Sequence, residues 1–269
     1  MSVDLLGKSF VSIKDKKLFL FDMDGTIYLE NTLFDGVKEL LEKIVISGGR
    51  FAFITNNSSK SVSDYVEKVK AMGLDVTEEN FFTSTQAATL LLKDKAGDKL
   101  VYVQGTKSFV KELKKSGLNV TENYDENSEF VLVGFDPELT GEKLRNTCKT
   151  LKKDIPYYAT NPDWVCPVDF GYIPDCGSMC FGIEKATGKT PVFIGKPQPT
   201  MIEVLMQKWQ VKKEDVVVIG DRIYTDIASG VNAGVDTVLV LSGEATRKDY
   251  DESQIKPTYL LQSVKDLLW

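Results

Sequence analysis

The feature that most narrows the fold is a series of short, wholly apolar segments, each followed by a stretch with helical spacing. Leu18-Phe19-Leu20-Phe21, Phe51-Ala52-Phe53-Ile54, Val192-Phe193-Ile194, Val216-Val217-Val218-Ile219 and Val238-Leu239-Val240-Leu241 read as strands. Residues 37–46, 62–72, 200–209 and 227–232 place apolar side chains three and four apart, which predicts helices, and Gly73 suits a helix C-cap. A strand that is apolar on both faces cannot leave one face in water, so helices must cover the sheet on both sides. Strands separated by helices run parallel. The expected class is α/β, with a parallel, Rossmann-like sheet.

The middle of the chain has signals of its own. Residues 100–103, 130–133 and 156–159 read as strands, 107–116 and 140–153 as helices, and the polar stretch 119–128 as a loop. This part also holds all four cysteines, Cys148, Cys166, Cys176 and Cys180. A thiolate zinc site normally shows two C-x-x-C pairs, and the only short spacing here is C-x3-C, so reduced, partly buried thiols are the preferred reading.

Among 269 residues there is no histidine. That excludes Ser-His-Asp hydrolases, Cys-His proteases, phosphohistidine enzymes and His-ligated zinc, and leaves acid–base chemistry to Asp, Glu, Lys, Tyr or Cys. The net charge of −6 and the lack of any Lys/Arg-rich run argue against nucleic acid and anionic membranes as partners. No apolar run approaches the ~18 residues of a membrane span, and residues 1–17 lack a secretory pattern, so a cytoplasmic location is expected.

Three of the apolar strands run into unusual polar residues: Asp22-Met23-Asp24-Gly25-Thr26, Thr55-Asn56-Asn57-Ser58, and Gly220-Asp221-Arg222 with Asp226 five positions after Asp221. In a parallel sheet the carboxyl ends share one edge, where ligands bind. Asp22, Asp24, Thr55, Asn56, Asp221 and Asp226 should therefore converge although they span 204 positions, and Lys196, in Ile194-Gly195-Lys196-Pro197, can join them. Four carboxylates in one site repel and raise each other's pKa values. A hard divalent cation removes the conflict, and incomplete coordination by protein oxygens favours Mg²⁺. Carboxylates, Mg²⁺ and an ammonium together point to phosphoryl transfer with an Asp as nucleophile. The same residues read individually are bland: Asp-x-Asp-Gly is a common turn, Lys196 a surface lysine and Asp226 a cap for the helix that follows it. Gly25 comes too early for a calcium-binding EF-hand loop, and Gly188-Lys189-Thr190 lacks the first glycine and the preceding strand of a P-loop.

The motif Asp22-x-Asp24-Gly25-Thr26 after an apolar strand resembles motif one of the haloacid dehalogenase (HAD) superfamily phosphatases. Thr55, Lys196 and Gly220-Asp221-x4-Asp226 are similar to motifs two, three and four, in order, so the resemblance covers almost the whole chain. The surrounding residues resemble the NagD and para-nitrophenylphosphatase branch. Asp24 and Thr55 are separated by one helix and one strand, whereas Thr55 and Lys196 lie 141 positions apart, which leaves room for an inserted second α/β domain. The resemblance identifies this insert as a C2-type cap roofing the site. The expected organisation is core 1–84, cap 85–187 and core 188–269.

The resemblance implies the following roles. Asp22 is the nucleophile that forms an aspartyl-phosphate, and Asp24 protonates the leaving oxygen and then activates water. Thr55, Asn56 and the Asn57 backbone hold phosphoryl oxygens, and Lys196 neutralises charge. Mg²⁺ is bound by Asp22, the Asp24 carbonyl and Asp221, with Asp226 holding waters or Lys196. The loop 160–178 resembles the cap segment that meets substrate, so Asn161, Asp163 and Cys166 either contact the leaving group or brace the loop. A dehalogenase would lack Asp24, and a phosphomutase would carry its cap between motifs one and two. The expected activity is Mg²⁺-dependent hydrolysis of a small phosphorylated metabolite such as a nucleoside monophosphate or sugar phosphate. A non-catalytic phosphate-ligand binding or regulatory protein on the same scaffold is the alternative. The lack of a histidine near Cys166 disfavours a pyridoxal phosphate specialist, and self-association is left open.

Overall fold

The computed structural model describes residues 3–168 and 170–268, without the side chain of Pro167. In chain order the elements are β1 (Leu18–Phe21), β2 (Tyr28–Leu29), β3 (Thr32–Leu33), α1 (Val37–Ile46), β4 (Arg50–Thr55), α2 (Val62–Ala71) and β5 (Phe81–Thr83). There follow α3 (Ser84–Lys95), β6 (Val101–Gln104), α4 (Lys107–Lys115), β7 (Val120–Thr121), β8 (Phe130–Val133), α5 (Gly141–Thr150) and β9 (Tyr157–Ala159). The last part holds β10 (Val165–Val168), β11 (Gly171–Pro174), α6 (Cys176–Thr187), β12 (Val192–Phe193), α7 (Thr200–Trp209), β13 (Val216–Gly220), α8 (Ala228–Ala233), β14 (Asp236–Val240), α9 (Arg247–Glu252) and β15 (Tyr259–Leu261).

The chain forms two units. The first comprises residues 1–55, 65–82 and 196–269, and the second residues 56–64 and 83–195. In the first, six strands lie in the order β15-β14-β13-β1-β4-β5, and the pairs from β15 through β4 are parallel. Leu18, Phe19, Leu20 and Phe21 are all buried, as the run of apolar side chains requires of a central strand covered on both faces. Phe53 packs its ring against Phe81 at 5.2 Å and Phe21 at 6.5 Å, extending this core toward the β5 edge. β1 lies between β4 and β13, where the order of connection reverses, and such a reversal opens a crevice at the carboxyl ends.

The second unit is built on five parallel strands in the order β12-β9-β8-β6-β7, with a separate antiparallel hairpin β10–β11. Its core joins Tyr102, Val131, Val133, Tyr157, Cys176, Cys180 and Ile183, with Cys148 and Cys166 packed against it. The four cysteines are all free thiols.

The expected boundaries 1–84, 85–187 and 188–269 differ from this division. Val192 and Phe193 were expected in the core sheet, but β12 pairs with β9 (Val192 with Tyr158, Phe193 with Ala159). An apolar strand carries no label for the sheet it joins, and here pairing is settled by the neighbouring β9. The expected loop 119–128 contributes the short strand β7, and the expected helix 140–153 ends at Thr150. The helix expected over 227–232 is preceded by a π-helical turn, Ile223–Ile227, that contains Asp226. Among the described residues no helix is long and apolar enough to cross a membrane.

Candidate active site

β1 delivers Asp22 at its carboxyl end, and the Asp22 amide still donates to the Ile219 carbonyl at 2.8 Å, one position beyond the strand. The chain then turns tightly. The Met23 carbonyl accepts from the Ile27 amide at 2.9 Å, and the Met23 side chain, which separates the two aspartates in sequence, is wholly buried. Gly25 closes the turn at φ +83°, where a side chain would both strain the backbone and strike Asp221. β4 ends at the buried Thr55, and β13 delivers Asp221. Lys196 is only 2% exposed.

The Lys196 ammonium donates to Asp22 Oδ1 at 2.5 Å, Asp226 Oδ1 at 2.7 Å and the Ile54 carbonyl at 3.1 Å. Asp226 Oδ2 accepts from the Arg222 amide at 3.0 Å, so both its oxygens are engaged on the amino-terminal side and neither caps the helix that follows. Asp221 Oδ1 accepts from the Thr26 hydroxyl at 3.2 Å and Oδ2 from the Glu244 amide at 2.7 Å. Carboxylate oxygens of Asp22, Asp221 and Asp226 all lie within 4.8 Å of one another.

Burial, then the charge of Asp226, pushes the Asp22 carboxyl well above the usual range, with Lys196 opposing. Burial and Asp226 likewise push Asp221 up to about 6. Burial works against the charge on Lys196, but the two carboxylates outweigh it and hold the ammonium above the ordinary lysine range. One buried ammonium, bonded to two carboxylates, thus serves a cluster of three carboxyl groups. A hard cation fits this set: all the donors are oxygens, they already converge, and the upward shifts record a shortage of positive charge.

The loop after β14 had no place in the sequence reading. Ser242 donates to the Gly25 carbonyl at 2.8 Å, the Ala245 amide donates to the Asp221 carbonyl at 3.0 Å, and Glu244 pairs with Arg222 at 2.8 Å. Gly243 faces Asp221 so closely that a Cβ there would stand 2.0 Å from Oδ2. The signal was present: Leu241-Ser242-Gly243-Glu244 also follows an apolar strand at the carboxyl edge.

Asn56, Asn57, Asn161, Asp163 and Cys166 belong to the second unit. There the Asn56 carboxamide donates to Asp163 Oδ2 at 2.8 Å, and Asn161 donates to the same oxygen at 2.7 Å and to Asp175 Oδ1 at 3.0 Å. Asn161 is fully buried and Asp163 is 2% exposed. Asn57 Oδ1 accepts from the amide and hydroxyl of Ser59, which closes a local turn. Cys166 sits on β10 with its side chain against the unit's core. The buried carboxamides of Asn56 and Asn161 and the buried Asp163 carboxylate thus find partners within their own unit, as buried polar groups must.

Two family models match the chain: haloacid dehalogenase-like hydrolase over residues 19–119, and HAD-hydrolase-like over residues 193–267. The chain is 34% identical to the acid sugar phosphatase of Staphylococcus haemolyticus, over 95% of each. The chain belongs to the haloacid dehalogenase-like hydrolase family. It is also 33% identical to the ribonucleotide monophosphatase NagD of Escherichia coli, over 93% of this chain and 98% of that one. Among solved structures, the 4-nitrophenylphosphatase of Thermotoga maritima matches with a TM-score of 0.90 at 38% identity, over 95% of this chain and 97% of that one. A glycerol phosphate phosphatase from Mycobacterium tuberculosis in complex with magnesium matches with a TM-score of 0.89 at 26% identity, over 95% of this chain and 77% of that one.

Proposed function

We propose that this member of the family hydrolyses small phosphomonoesters, with Asp22 as the nucleophile and Asp24 as the proton carrier. The observation that carries the reading is the meeting of Asp22, Asp221 and Asp226 beside the ends of the neighbouring parallel strands β1 and β13, with Lys196 bonded to Asp22 and Asp226. The similarity to an acid sugar phosphatase, a ribonucleotide monophosphatase and a glycerol phosphate phosphatase supports it.

Lys196 holds Asp22 Oδ1, and Oδ2 accepts no hydrogen bond among the described residues, so one oxygen of the nucleophile is oriented and the other is left to attack. As the P–O bond to the leaving group breaks, Asp24 gives that oxygen its proton. Asp24 then takes a proton from the water that hydrolyses the aspartyl-phosphate, so one carboxyl serves both steps and no histidine is needed. The Thr55 hydroxyl at the end of β4 binds a phosphoryl oxygen, and Asp226 keeps Lys196 charged and in place. Mg²⁺ would be held by Asp22, Asp221 and the Asp24 main-chain carbonyl, and when bound it supplies positive charge to the phosphoryl oxygens.

A panel of sugar, nucleoside and aryl phosphates, read by release of inorganic phosphate with Mg²⁺ present, tests the proposal. At least one ester should turn over, and Asp22→Asn should abolish that turnover while leaving the folded protein intact, since an amide cannot form the acyl-phosphate. Wild-type turnover by Asp22→Asn would reject the mechanism. No turnover of any ester would leave the chain a binding protein.

A further inference from the structure

Asp24 differs from the other site carboxylates in being well exposed: 44% of its side chain is open to solvent, against 14% for Asp22 and 1% for Asp226. A carboxylate this exposed has rotamers to choose among, and proton transfer requires one of them. Two side chains of the same unit restrict it. The Tyr28 hydroxyl, on the β2–β3 hairpin, donates to Asp24 Oδ2 at 3.1 Å, and the Lys68 ammonium, on α2, stands 3.8 Å from Oδ1. Lys68 also lies over the Tyr28 ring, 3.9 Å from its centroid. Tyr28 is itself fully buried, so the ring is a fixed platform for both the hydroxyl and the ammonium.

We infer that Tyr28 and Lys68 are positioning residues for Asp24, gripping its two oxygens from different elements so that the carboxyl meets the leaving group in one orientation. The inference rests on the acid–base role proposed above for Asp24. A phenol keeps its proton at neutral pH, so the Tyr28 hydroxyl remains a donor to the Asp24 carboxylate. When Asp24 carries its proton, the same hydroxyl can accept, and the contact survives both halves of the cycle. Lys68 contributes a charge whose place is fixed by the ring beneath it. That geometry distinguishes the pair from an ordinary exposed ion pair, in which both side chains are free to wander.

The consequence is a dependence on the leaving group. An aryl ester such as 4-nitrophenyl phosphate expels a stable anion and needs little protonation, whereas an alkyl ester such as glycerol phosphate expels an alkoxide that must be protonated as it departs. Formation of the aspartyl-phosphate governs kcat/KM for both. In Tyr28→Phe and Lys68→Met, the ratio of kcat/KM for the alkyl ester to that for the aryl ester should fall about tenfold, a part of the ~10²–10⁴-fold that a positioned acid contributes. Lys68→Arg, which keeps the cation over the ring, should restore most of the ratio.

Asp24→Asn separates the two levels of the argument. If it lowers the ratio while Tyr28→Phe and Lys68→Met leave the ratio at the wild-type value, the positioning role is wrong and the acid–base role stands. If Asp24→Asn leaves the ratio unchanged, the acid–base role itself falls. Equal losses on both esters in Tyr28→Phe and Lys68→Met, unrelieved by Lys68→Arg, would show a merely structural contribution and overturn the inference.

Discussion

Gly243→Ala adds one methyl group at the most confined point of the site. An ideal Cβ there stands 2.0 Å from Asp221 Oδ2, 2.5 Å from its Cγ and 2.8 Å from its Cβ. Gly243 is not among the residues with positive φ, so the methyl acts through space and not through backbone strain. Restoring ordinary contact requires the Asp221 oxygen to retreat by about 1.4 Å or the 242–245 loop to lift by a similar distance. Either movement strains the 2.7 Å bond from the Glu244 amide that holds Asp221, and the first also draws Asp221 out of the three-carboxylate cluster. Overpacking of this kind costs about 1–3 kcal/mol of stability. Misplacing a group by about 1 Å can cost ~10²-fold in rate. The expected result is a loss in kcat/KM of about a hundredfold at fixed Mg²⁺, with half-activation displaced to about 10–100-fold more metal. Gly182→Ala is the matched control. It makes the same chemical change on an exposed turn of α6 with nothing within 4 Å, and a helical Gly-to-Ala change is worth up to about 1 kcal/mol of added stability. Steady-state kinetics over a Mg²⁺ titration, with thermal melts of both variants, decide the matter. Wild-type metal response in Gly243→Ala would refute the placement of Asp221 as a ligand.

Chelation should abolish phosphate release and Mg²⁺ should restore it, while excess Ca²⁺ inhibits, because its larger coordination number draws both Asp22 oxygens to the metal; full activity in chelator would contradict this. In metal-free protein the Asp221 carboxyl, at about 6 against an ordinary 3.8, favours its protonated form on folding. Metal-free stability should therefore rise as pH falls from 7 through 6 toward 4, whereas the melting-temperature gain from Mg²⁺ should shrink over the same window. A gain from Mg²⁺ that is constant from pH 5 to 7.5 would refute the linkage. Asp163→Ala removes the acceptor shared by Asn56 and Asn161, leaving two buried donors short of a partner at about 1–3 kcal/mol each, so melts should drop and activity on different esters should fall together. A reordering of ester preference instead would mean that Asp163 selects the leaving group.

The parallel core was legible because its strands are apolar on both faces, and the motif residues were legible because polar side chains after such strands have one edge to occupy. What stayed hidden was information held between segments. Val192-Phe193 reads as a strand for either sheet, and only β9 settles which. α3 lacks a clean apolar stripe, and its best local mark is the Thr83-x-x-Gln86 capping box, in which the Thr83 hydroxyl and the Gln86 side chain each accept from the other's backbone amide. Nothing in Thr55-Asn56-Asn57 reveals that the Asn56 carboxamide donates to Asp163, 107 positions away. Gly243 matters through the space it leaves for Asp221, which no spacing rule records.

The pairing of β1 with both β4 and β13 has a consequence for biosynthesis. Leu18 lies beside Val216, 198 positions later in the chain, so the central strand leaves the ribosome long before one of its two neighbours exists. Pairing of β6, β8 and β9 needs only residues 101–159 and can be complete by then. From the end of β4 at Thr55 to the start of β13 at Val216, an interval of roughly 8–32 s at about 5–20 residues per second, β1 must wait with one edge unpaired. Such an edge invites wrong pairing, and the long loop it must close makes its correct partner slow to arrive. For most of this interval Asp22, Asp24 and Thr55 are present without Lys196, and for all of it without Asp221 or Asp226, so the nascent chain carries the proposed nucleophile before the groups that surround it. Activity therefore starts only after β13 is laid down, and a chain truncated before Val216 would be both inert and prone to aggregate.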